Sequence, residues 1–535
     1  MHNKFYDHFS SFLLPCIIFS AITGLFSALL ITLFKVAAEW VIHLSLSLYE
    51  AVRTNPAWIP ALIIGAALIG VLASLILSVS HSCKGGCIPT SVAAIQGIFS
   101  FRWFSGVVLL PVSALLSFLV GLPLGTEGPC VQMGTAVGDG VMKGFGKEKH
   151  SGWRRYIMTG GASAGFSIAT GSPITAIIFS VEELHKHFSP VLLSIASISV
   201  ITAQTTSRAL ASIGIGEMEL FSIHKMEALP VSLFLVPIIL GLVSGICSIF
   251  FIRLYHLIDH VMRTVLKRIS VKVIIPILFA LVAVAGFLFA DALRSGHSLI
   301  NSLFTPGAAW YMLIILFLLR AIGMMVCNTS GATGGVFLPT LAFGAIIGTL
   351  CADLLIWLGL MGTEHYVLAV VLGISAFLSA TSRIPLTACI FAVEALGGIN
   401  NVLPIVIATT VAIMSVEASG LEDLTDKIIE ARLHKLTRGK KPFEIEAPLT
   451  VKRNAFVIGK EMRDVLWPNS CLVVAFNRAD ISKRSSAISE GDVITVRYIT
   501  YDPSITLKEI CDLVGKQNEE TVRTMNPLSD NSEKT

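Results

Sequence analysis

The sequence predicts an all-α protein that crosses a membrane many times, followed by a small α+β domain at its C-terminal end. Of the 535 residues, 54% are hydrophobic and only 14% are charged, and the mean hydropathy is +0.77. A soluble chain of similar apolar content carries about a quarter charged residues. Residues 421–535 hold 36 of the 74 charged side chains. The shortage of charge therefore belongs to the first 420 residues, which we assign to the membrane.

The membrane-crossing segments are predicted from apolar runs long enough to span a bilayer. These runs are 11–46, 57–79, 104–122, 156–181, 189–213, 229–252, 273–293, 309–327, 364–380 and 401–417. The first is too long for a secretion signal, so we treat it as a retained span. Shorter apolar pieces interrupted by Gly and Pro lie between them, at 83–98, 121–142, 330–359 and 382–397. Helices broken at membrane depth survive only where they are buried or line a cavity, so a functional site is expected there.

Basic residues are concentrated in three clusters, which indicate the sidedness of the membrane domain. They lie at 143–155, 253–272 and 432–441. Because basic residues are enriched on the cytoplasmic side of membrane proteins, we expect a multi-pass protein of the cell membrane with its C-terminal domain in the cytoplasm. The formal net charge of +4 gives no reason to expect a nucleic-acid partner.

Two pairs of similar segments indicate an internal repeat. ATGSPITAIIFSVEE (169–183) resembles ATSRIPLTACIFAVEA (380–395) at an offset of 212 residues, and GTEGPCVQMGTAVG (125–138) aligns with GVFLPTLAFGAIIG (335–348) at an offset of 210. Transporters are often built from such repeats, with broken helices that meet near the middle of the membrane. The span count alone leaves open whether the two halves are inverted.

Three Gly- and Pro-interrupted motifs precede apolar, helix-compatible runs: GGCIP (85–89), GTEGP (125–129) and GGVFLP (334–339). A helix that begins at membrane depth directs unpaired N–H groups and the positive end of its dipole at whatever lies ahead of it. Three such ends that converge would bind an anion through partial charges alone, which permits release. The alternative is that the motifs are packing turns. The candidate anion-binding residues are Gly86, Cys87, Ile88, Gly128, Val336 and Phe337.

Glu127 lies inside the second motif, and an ionisable residue within a membrane segment is a functional candidate by default. Beside helix N-termini its carboxylate would be stabilised as a bound anion is, so it can occupy the anion site until it is protonated or displaced. The alternative is a first-turn glutamate that caps its own helix. Glu182 and Glu183 end an apolar helix at FSVEEL, and for Glu182 we prefer the simple interpretation of a charge at the membrane interface.

The four motifs GGCIP, GTEGP, GGVFLP and FSVEEL, in this order, resemble the signature set of the CLC chloride channels and proton-coupled chloride transporters. The resemblance covers about residues 20–430. It implies a homodimer in a lipid bilayer, in which each subunit has its own anion pathway and two inverted repeats. It also implies that Glu127 is the external gate, that Glu183 is the internal proton-transfer residue, and that the backbone N–H groups of Val336 and Phe337 face the central anion.

Three positions depart from the usual CLC pattern. Gly86 stands where a serine is common, and Thr126 where a basic residue is usual. Our alignment of LTDKIIEARL puts Thr425 at the position of a tyrosine whose hydroxyl binds the anion in the family. With neither usual hydroxyl donor supplied, we expect a central site that is less selective for chloride and that admits larger anions such as bromide or nitrate.

The sequence-based hypothesis is a proton-coupled antiporter of chloride or a similar anion, with Glu127 and Glu183 as its proton-carrying residues. Because typical channels of the family replace the internal glutamate by an apolar residue, Glu183 favours an antiporter. A passive chloride channel of the same fold and a fluoride- or nitrate-selective relative are the alternatives. A membrane-embedded enzyme, a polysaccharide exporter and a structural receptor are rivals from other classes, and no catalytic cluster supports the first two. We expect no metal and no cofactor besides the transported anion.

The domain boundaries follow from the same patterns. We predict a membrane domain at 1–432, a linker at 433–446, a regulatory domain at 447–517 and a disordered tail at 518–535. CLVVAF (471–476) and DVITVRY (492–498) are predicted strands, and GKEMRDV (459–465) a short helix. This part resembles the TrkA-C domains of potassium channels and transporters, which implies dimerisation and the binding of a small-molecule ligand.

Overall fold

The structure, a computed structural model, describes residues 14–525 except 99–101, 146–151, 217–220, 222–225, 290–292, 437–441, 454, 469–470, 480–486, 502, 519–520 and 523–524. The helices are α1 (Leu14–Thr54), α2 (Ile59–Val79), α3 (Cys87–Ile95), α4 (Leu110–Val120), α5 (Glu127–Phe145), α6 (Arg154–Thr170), α7 (Pro173–Phe179), α8 (Pro190–Ser212), α9 (Leu235–Arg268), α10 (Val271–Leu288), α11 (His297–Leu303), α12 (Trp310–Ser330), α13 (Phe337–Trp357), α14 (Tyr366–Ser382), α15 (Pro385–Glu394), α16 (Val402–Glu417), α17 (Leu424–Leu436) and α18 (Pro503–Val514).

The predicted membrane domain is confirmed. Among the described residues, nine helical segments are long and apolar enough to cross a membrane. The predicted single span at 156–181 is wrong, because it is two helices, α6 and α7. Gly171 ends α6 in the left-handed conformation (φ 70°) and Pro173 begins α7, which are the residues that favour a helix end and a helix start.

The two repeats are also confirmed, because their helices cross at matched glycines. A Cβ atom on Gly134 of α5 would lie 2.0 Å from the carbonyl oxygen of Gly161 in α6. The same crossing recurs one repeat later, where a Cβ atom on Gly344 of α13 would lie 2.7 Å from the carbonyl oxygen of Gly373 in α14. In both repeats the backbones therefore touch where a side chain would hold them apart.

The crossing predicts that Gly134→Ala destabilises the membrane domain. The added methyl group overlaps the backbone of α6, so we expect a loss of roughly 1–3 kcal/mol in stability and a lower unfolding temperature in detergent. Gly144→Ala is the matched control, because Gly144 lies in the same helix with no heavy atom within 4 Å of the position of its Cβ. Equal unfolding temperatures for the two variants would contradict the prediction.

The C-terminal part forms the predicted α+β domain. Its three strands, β1 (Phe443–Thr450), β2 (Cys471–Asn477) and β3 (Val493–Thr500), make an antiparallel sheet of order β1-β3-β2, with α18 following β3. The side chains of FEIEAPLT alternate between exposed and buried along β1, a pattern that the sequence analysis missed.

Some predicted boundaries differ from those of the structure. The linker at 433–446 is shorter than predicted, because α17 continues to Leu436 and β1 begins at Phe443. The helix predicted at 459–465 is only a 3₁₀ turn at Met462–Asp464. In the predicted disordered tail, 519–520, 523–524 and 526–535 lie outside the described residues, and Met525 is buried and accepts a hydrogen bond from Tyr498.

The C-terminal domain packs against the start of α6 through an aromatic contact. Trp153 and Tyr156 of the membrane domain pack against Phe456, with ring centroids 5.2 and 5.8 Å apart. The ammonium group of Lys460 lies 3.6 Å from the ring centroid of Phe456 and 5.5 Å from that of Trp153. Burial lowers the pKa of Lys460 to about 7. The two domains therefore share a small core of their own.

Polar contacts join the two domains beside this core. Arg155 donates to Glu509 at 2.6 Å, and Ser189 donates to the carboxylate of Asp464 at 3.0 Å. His187 bonds the carbonyl oxygen of Arg463 at 2.5 Å. The contacts at His187 and Ser189 lie only a few residues beyond Glu183, so the C-terminal domain holds the segment that follows this glutamate.

Candidate functional site

The three glycine motifs meet at one place inside the membrane domain. The backbones of Gly125 and Gly335 pair in antiparallel fashion, with N–H to O distances of 2.7 and 2.8 Å in the two directions. Gly86 pairs with Gly334 beside them. Because Gly125 and Gly335 are matched residues of the two repeats, this antiparallel pair lies where the inverted halves meet.

Glycine is required at this meeting point because the backbones approach closely. A Cβ atom on Gly128 would lie 2.6 Å from the Cα of Gly335 and 3.3 Å from the Cβ of Cys87. The starts of α3, α5 and α13 are thereby held together, as the sequence predicts for 86–89, 127–130 and 336–339. The aligned peptide units of the three helices direct partial positive charge towards this region.

Glu127 is the first residue of α5 and is fully buried. Its Oε1 accepts a hydrogen bond from the hydroxyl of Thr126 at 3.0 Å, and the N–H of Leu338, in the first turn of α13, faces the carboxylate. Its Oε2 has no hydrogen-bond partner among the described residues. The carboxylate thus lies at the start of the opposite repeat's helix, where an anion would be stabilised, and not merely as a cap on its own helix.

Val336 and Phe337 border a small cavity of about 30 Å³ on the other side of this first turn, which has room for a water molecule. Ile88, Glu183 and Thr425 line the same cavity. The cavity therefore contains residues from the first and third motifs together with the predicted internal glutamate. The other predicted residues, Gly86, Cys87, Gly128 and Glu127, do not line it and lie at the meeting point described above.

The ring of Phe337 belongs to an aromatic cluster. It makes edge contacts with Phe166 and Phe391, at centroid distances of 5.1 and 5.6 Å, and Phe166 stacks on Phe179 at 4.4 Å. Phe179 ends α7 directly before the π-helical turn Ser180–His185, which carries Glu183. The same cluster therefore fixes the first turn of α13 and the base of the turn that holds Glu183.

Glu183 is 3% exposed, and its Oε1 accepts a hydrogen bond of 2.7 Å from the hydroxyl of Thr425. Lys186, just beyond the turn, bonds the carboxylates of Asp423 and Asp426 at 3.1 and 2.6 Å. The side chain of Asp423 is 2% exposed. The predicted anion-binding hydroxyl of Thr425 is therefore engaged with the internal glutamate.

Glu182 has a role that the sequence analysis did not predict. Its carboxylate accepts from the backbone N–H groups of Leu386 and Thr387, at 2.9 and 2.7 Å, in the first turn of α15. Its repeat mate Glu394 accepts from Ile174 and Thr175, at 2.9 and 2.8 Å, in the first turn of α7. Each repeat therefore caps a helix of the other. The sequence signal that could have indicated these caps is the match of the two glutamates at an offset of 212.

Within the described residues, no three His, Cys, Asp or Glu side chains cluster closely enough to hold a metal ion. The site is instead an assembly of helix starts, backbone N–H groups and two buried carboxylates. Fold and site together define a class of membrane proteins in which two inverted repeats meet at broken helices around a shared polar centre.

Comparison with known proteins identifies the family within this class. The family model described as "Voltage gated chloride channel" matches residues 65–417. The chain therefore belongs to the voltage-gated chloride channel family, known as the CLC family.

Relatives and solved structures agree with this family. The H(+)/Cl(-) exchange transporter ClcA of Vibrio campbellii is 27% identical over 423 residues, which cover 77% of this chain and 89% of that protein. ClcA of Salmonella arizonae is 25% identical, with coverage of 79% and 89%. The structure of a slow cyanobacterial Cl⁻/H⁺ antiporter matches with a TM-score of 0.72 at 22% identity, covering 79% of this chain and 99% of that one. A CLC-type fluoride/proton antiporter matches with a TM-score of 0.59 at 21% identity, covering 76% and 96%.

Proposed function

We propose that this protein exchanges chloride or a similar anion for protons across the cell membrane. The observation that carries the proposal is the buried carboxylate of Glu127 at the start of α13, beside the N–H of Leu338. A carboxylate at such a helix start takes the place of a mobile anion. An incoming anion can displace it, and protonation can release it, so anion movement and proton binding occur at one place.

Glu183 completes this proposal as the internal proton-transfer residue. Glu183 lines the cavity at Val336 and Phe337, and the N–H of Leu338 in the same helix turn faces the carboxylate of Glu127. A proton that leaves Glu127 therefore has a second buried carboxylate, in the cavity at the start of α13, to receive it. The names of the ClcA relatives describe H(+)/Cl(-) exchange, which supports the proposal of anion–proton exchange.

Anion selectivity is the part of the proposal that depends on the departures from the family pattern. Gly86 offers only its backbone, and the hydroxyl of Thr425 is held by Glu183. The central site therefore relies on backbone N–H groups, which coordinate any small anion without strong preference. We propose that bromide and nitrate are transported about as readily as chloride.

The test is anion flux from liposomes containing the purified protein, with the internal pH recorded at the same time. Fluxes under chloride, bromide, nitrate and fluoride gradients are compared. We expect a chloride gradient to drive protons uphill. Anion flux that ignores an imposed pH gradient would indicate a passive channel. Fluoride flux far above chloride flux would indicate the fluoride-selective alternative, and the absence of any flux would favour a receptor role.

We further propose that the C-terminal domain lies in the cytoplasm and regulates transport as a TrkA-C-like, ligand-binding domain, and that the protein is a homodimer. Contacts of His187 and Ser189 with this domain support regulation, because they act on the segment next to Glu183. The basic residues Arg154 and Arg155 begin the helix on which the domain packs, and Arg155 pairs with Glu509 of the domain, which supports the cytoplasmic side. The exposed repeat mates Ile174 and Leu386 on α7 and α15 support a dimer contact there.

A further inference from the structure

The hydrogen bond between Thr425 and Glu183 joins residues that are 242 positions apart. Both side chains are buried, and both line the cavity that ends at Val336 and Phe337. While Oε1 of Glu183 accepts from Thr425, its Oε2 has no hydrogen-bond partner among the described residues. One oxygen is therefore held in place and the other remains available to a proton or a water molecule in the cavity.

Thr425 itself is held by its surroundings rather than by this bond alone. Its backbone N–H donates to Asp423 at 3.2 Å, and Asp423 also accepts from Lys186. Lys186 adopts a left-handed backbone conformation (φ 51°) directly after the turn that carries Glu183. The start of α17 and this turn are thus joined both by the ion pairs of Lys186 and by the hydroxyl of Thr425.

We propose that Thr425 is a positioning residue for proton transfer, whose hydroxyl holds Glu183 at the wall of the cavity beside the anion site. The proposal rests on the proposed function of anion–proton exchange. It assigns to Thr425 a role in proton coupling instead of the direct contact with the anion that its sequence position implies. Anion and proton then share one inner cavity, and an anion inside it favours protonation of the adjacent Glu183 through charge repulsion.

Within the part of the chain that the structure describes, charged groups near Glu183 come from the start of α17 and from its own segment. Asp423 and Asp426 face it from the start of α17, and Lys186 from its own segment. Of the other helices that pack on the turn, α3 contributes the uncharged Gln96, which donates to the carbonyl oxygen of Leu184. The helix α6 contributes Arg155, which is paired with Glu509. Asp423 and Asp426 favour protonation of Glu183, whereas Lys186 and the hydroxyl of Thr425, which donates to Oε1, favour its ionised form.

The test compares Thr425→Val with Thr425→Ser in liposomes, with proton flux measured against internal pH under a fixed chloride gradient. Valine keeps the volume but removes the donor, so Glu183 should bind protons at higher pH. We expect the midpoint of the proton-flux profile to move up by about one pH unit, together with a lower exchange coupling. Serine keeps the hydroxyl and should restore the wild-type profile. Thr135→Val is the matched control, because the buried hydroxyl of Thr135 donates to the carbonyl oxygen of Val131 in its own helix.

The outcomes separate this inference from the proposed function. If Thr425→Val kept the wild-type exchange coupling and the wild-type profile of proton flux against pH, the inference would be overturned but the proposed function would stand. The inference would also be overturned if Thr425→Val lowered chloride flux by the same factor in the wild-type and the Glu183→Ala background. Thr425 would then act on the anion directly. A wild-type protein that moves chloride without protons would overturn the proposed function and the inference together.

Discussion

Glu127→Gln is expected to leave chloride flux in place and to abolish proton flux. Glutamine has nearly the same shape as glutamate, but it carries no charge and cannot exchange a proton. In the structure the carboxylate lies at the start of α13, where the positive end of the helix dipole would stabilise an anion. A neutral amide competes poorly there, so the anion path should remain open while its link to protons is lost.

The measurement is simultaneous chloride and pH recording in liposomes under a chloride gradient, with Glu50→Gln as the control. Glu50 is an exposed glutamate near the end of α1, so its replacement makes the same chemical change away from the site. Proton flux in Glu127→Gln should fall to the level of protein-free liposomes. Persistent uphill proton movement in this variant would show that another group is the gate.

Glu183→Ala is expected to stop proton flux while anion flux continues. The side chain is the acidic group on the inner cavity, next to the backbone of Val336 and Phe337. Without it, the lining of this cavity contains no carboxylate to receive a proton released at Glu127. Alanine also enlarges the cavity, so the anion should not be obstructed.

The adjacent glutamate offers a control for this second prediction. Glu182→Gln keeps one oxygen acceptor for the first turn of α15 but weakens a charged cap, which costs on the order of 1 kcal/mol. We expect a small decrease in thermal stability and intact exchange for Glu182→Gln, in contrast to the loss of proton flux in Glu183→Ala. Loss of proton flux in both variants would mean that the contact between repeats, rather than Glu183, governs coupling.

Much of the membrane domain could be predicted from local sequence. Apolar length locates the long helices, and Gly or Pro immediately before an apolar run locates the helix starts at Cys87, Glu127 and Phe337. The break between α6 and α7 was missed because the apolar run continues through Gly171 and Ser172. Hydropathy measures solubility in lipid and does not register a change in backbone direction.

The contacts that define the inner site could not be predicted in the same way. The family resemblance places Thr425 at the anion site, but it gives no sign that its hydroxyl bonds Glu183, which is 242 positions away. The packing of the C-terminal domain on Trp153 and Tyr156 likewise depends on three-dimensional proximity. The repeat alignment gave a partial signal for the capping of α7 and α15, because it matches Glu182 with Glu394. It does not say which helix each carboxylate contacts.

The reciprocal caps bear on how two matched repeats can carry different residues at equivalent positions. A contact that is its own image under a two-fold axis is the kind made by two identical chains, and in such an ancestral pair every substitution would occur twice. Once both halves belong to one polypeptide, matched positions can diverge separately. Glu127 and Phe337 occupy equivalent places, yet one is an acid and the other an aromatic ring. Joining the halves thus allows a symmetric scaffold to support a vectorial pathway.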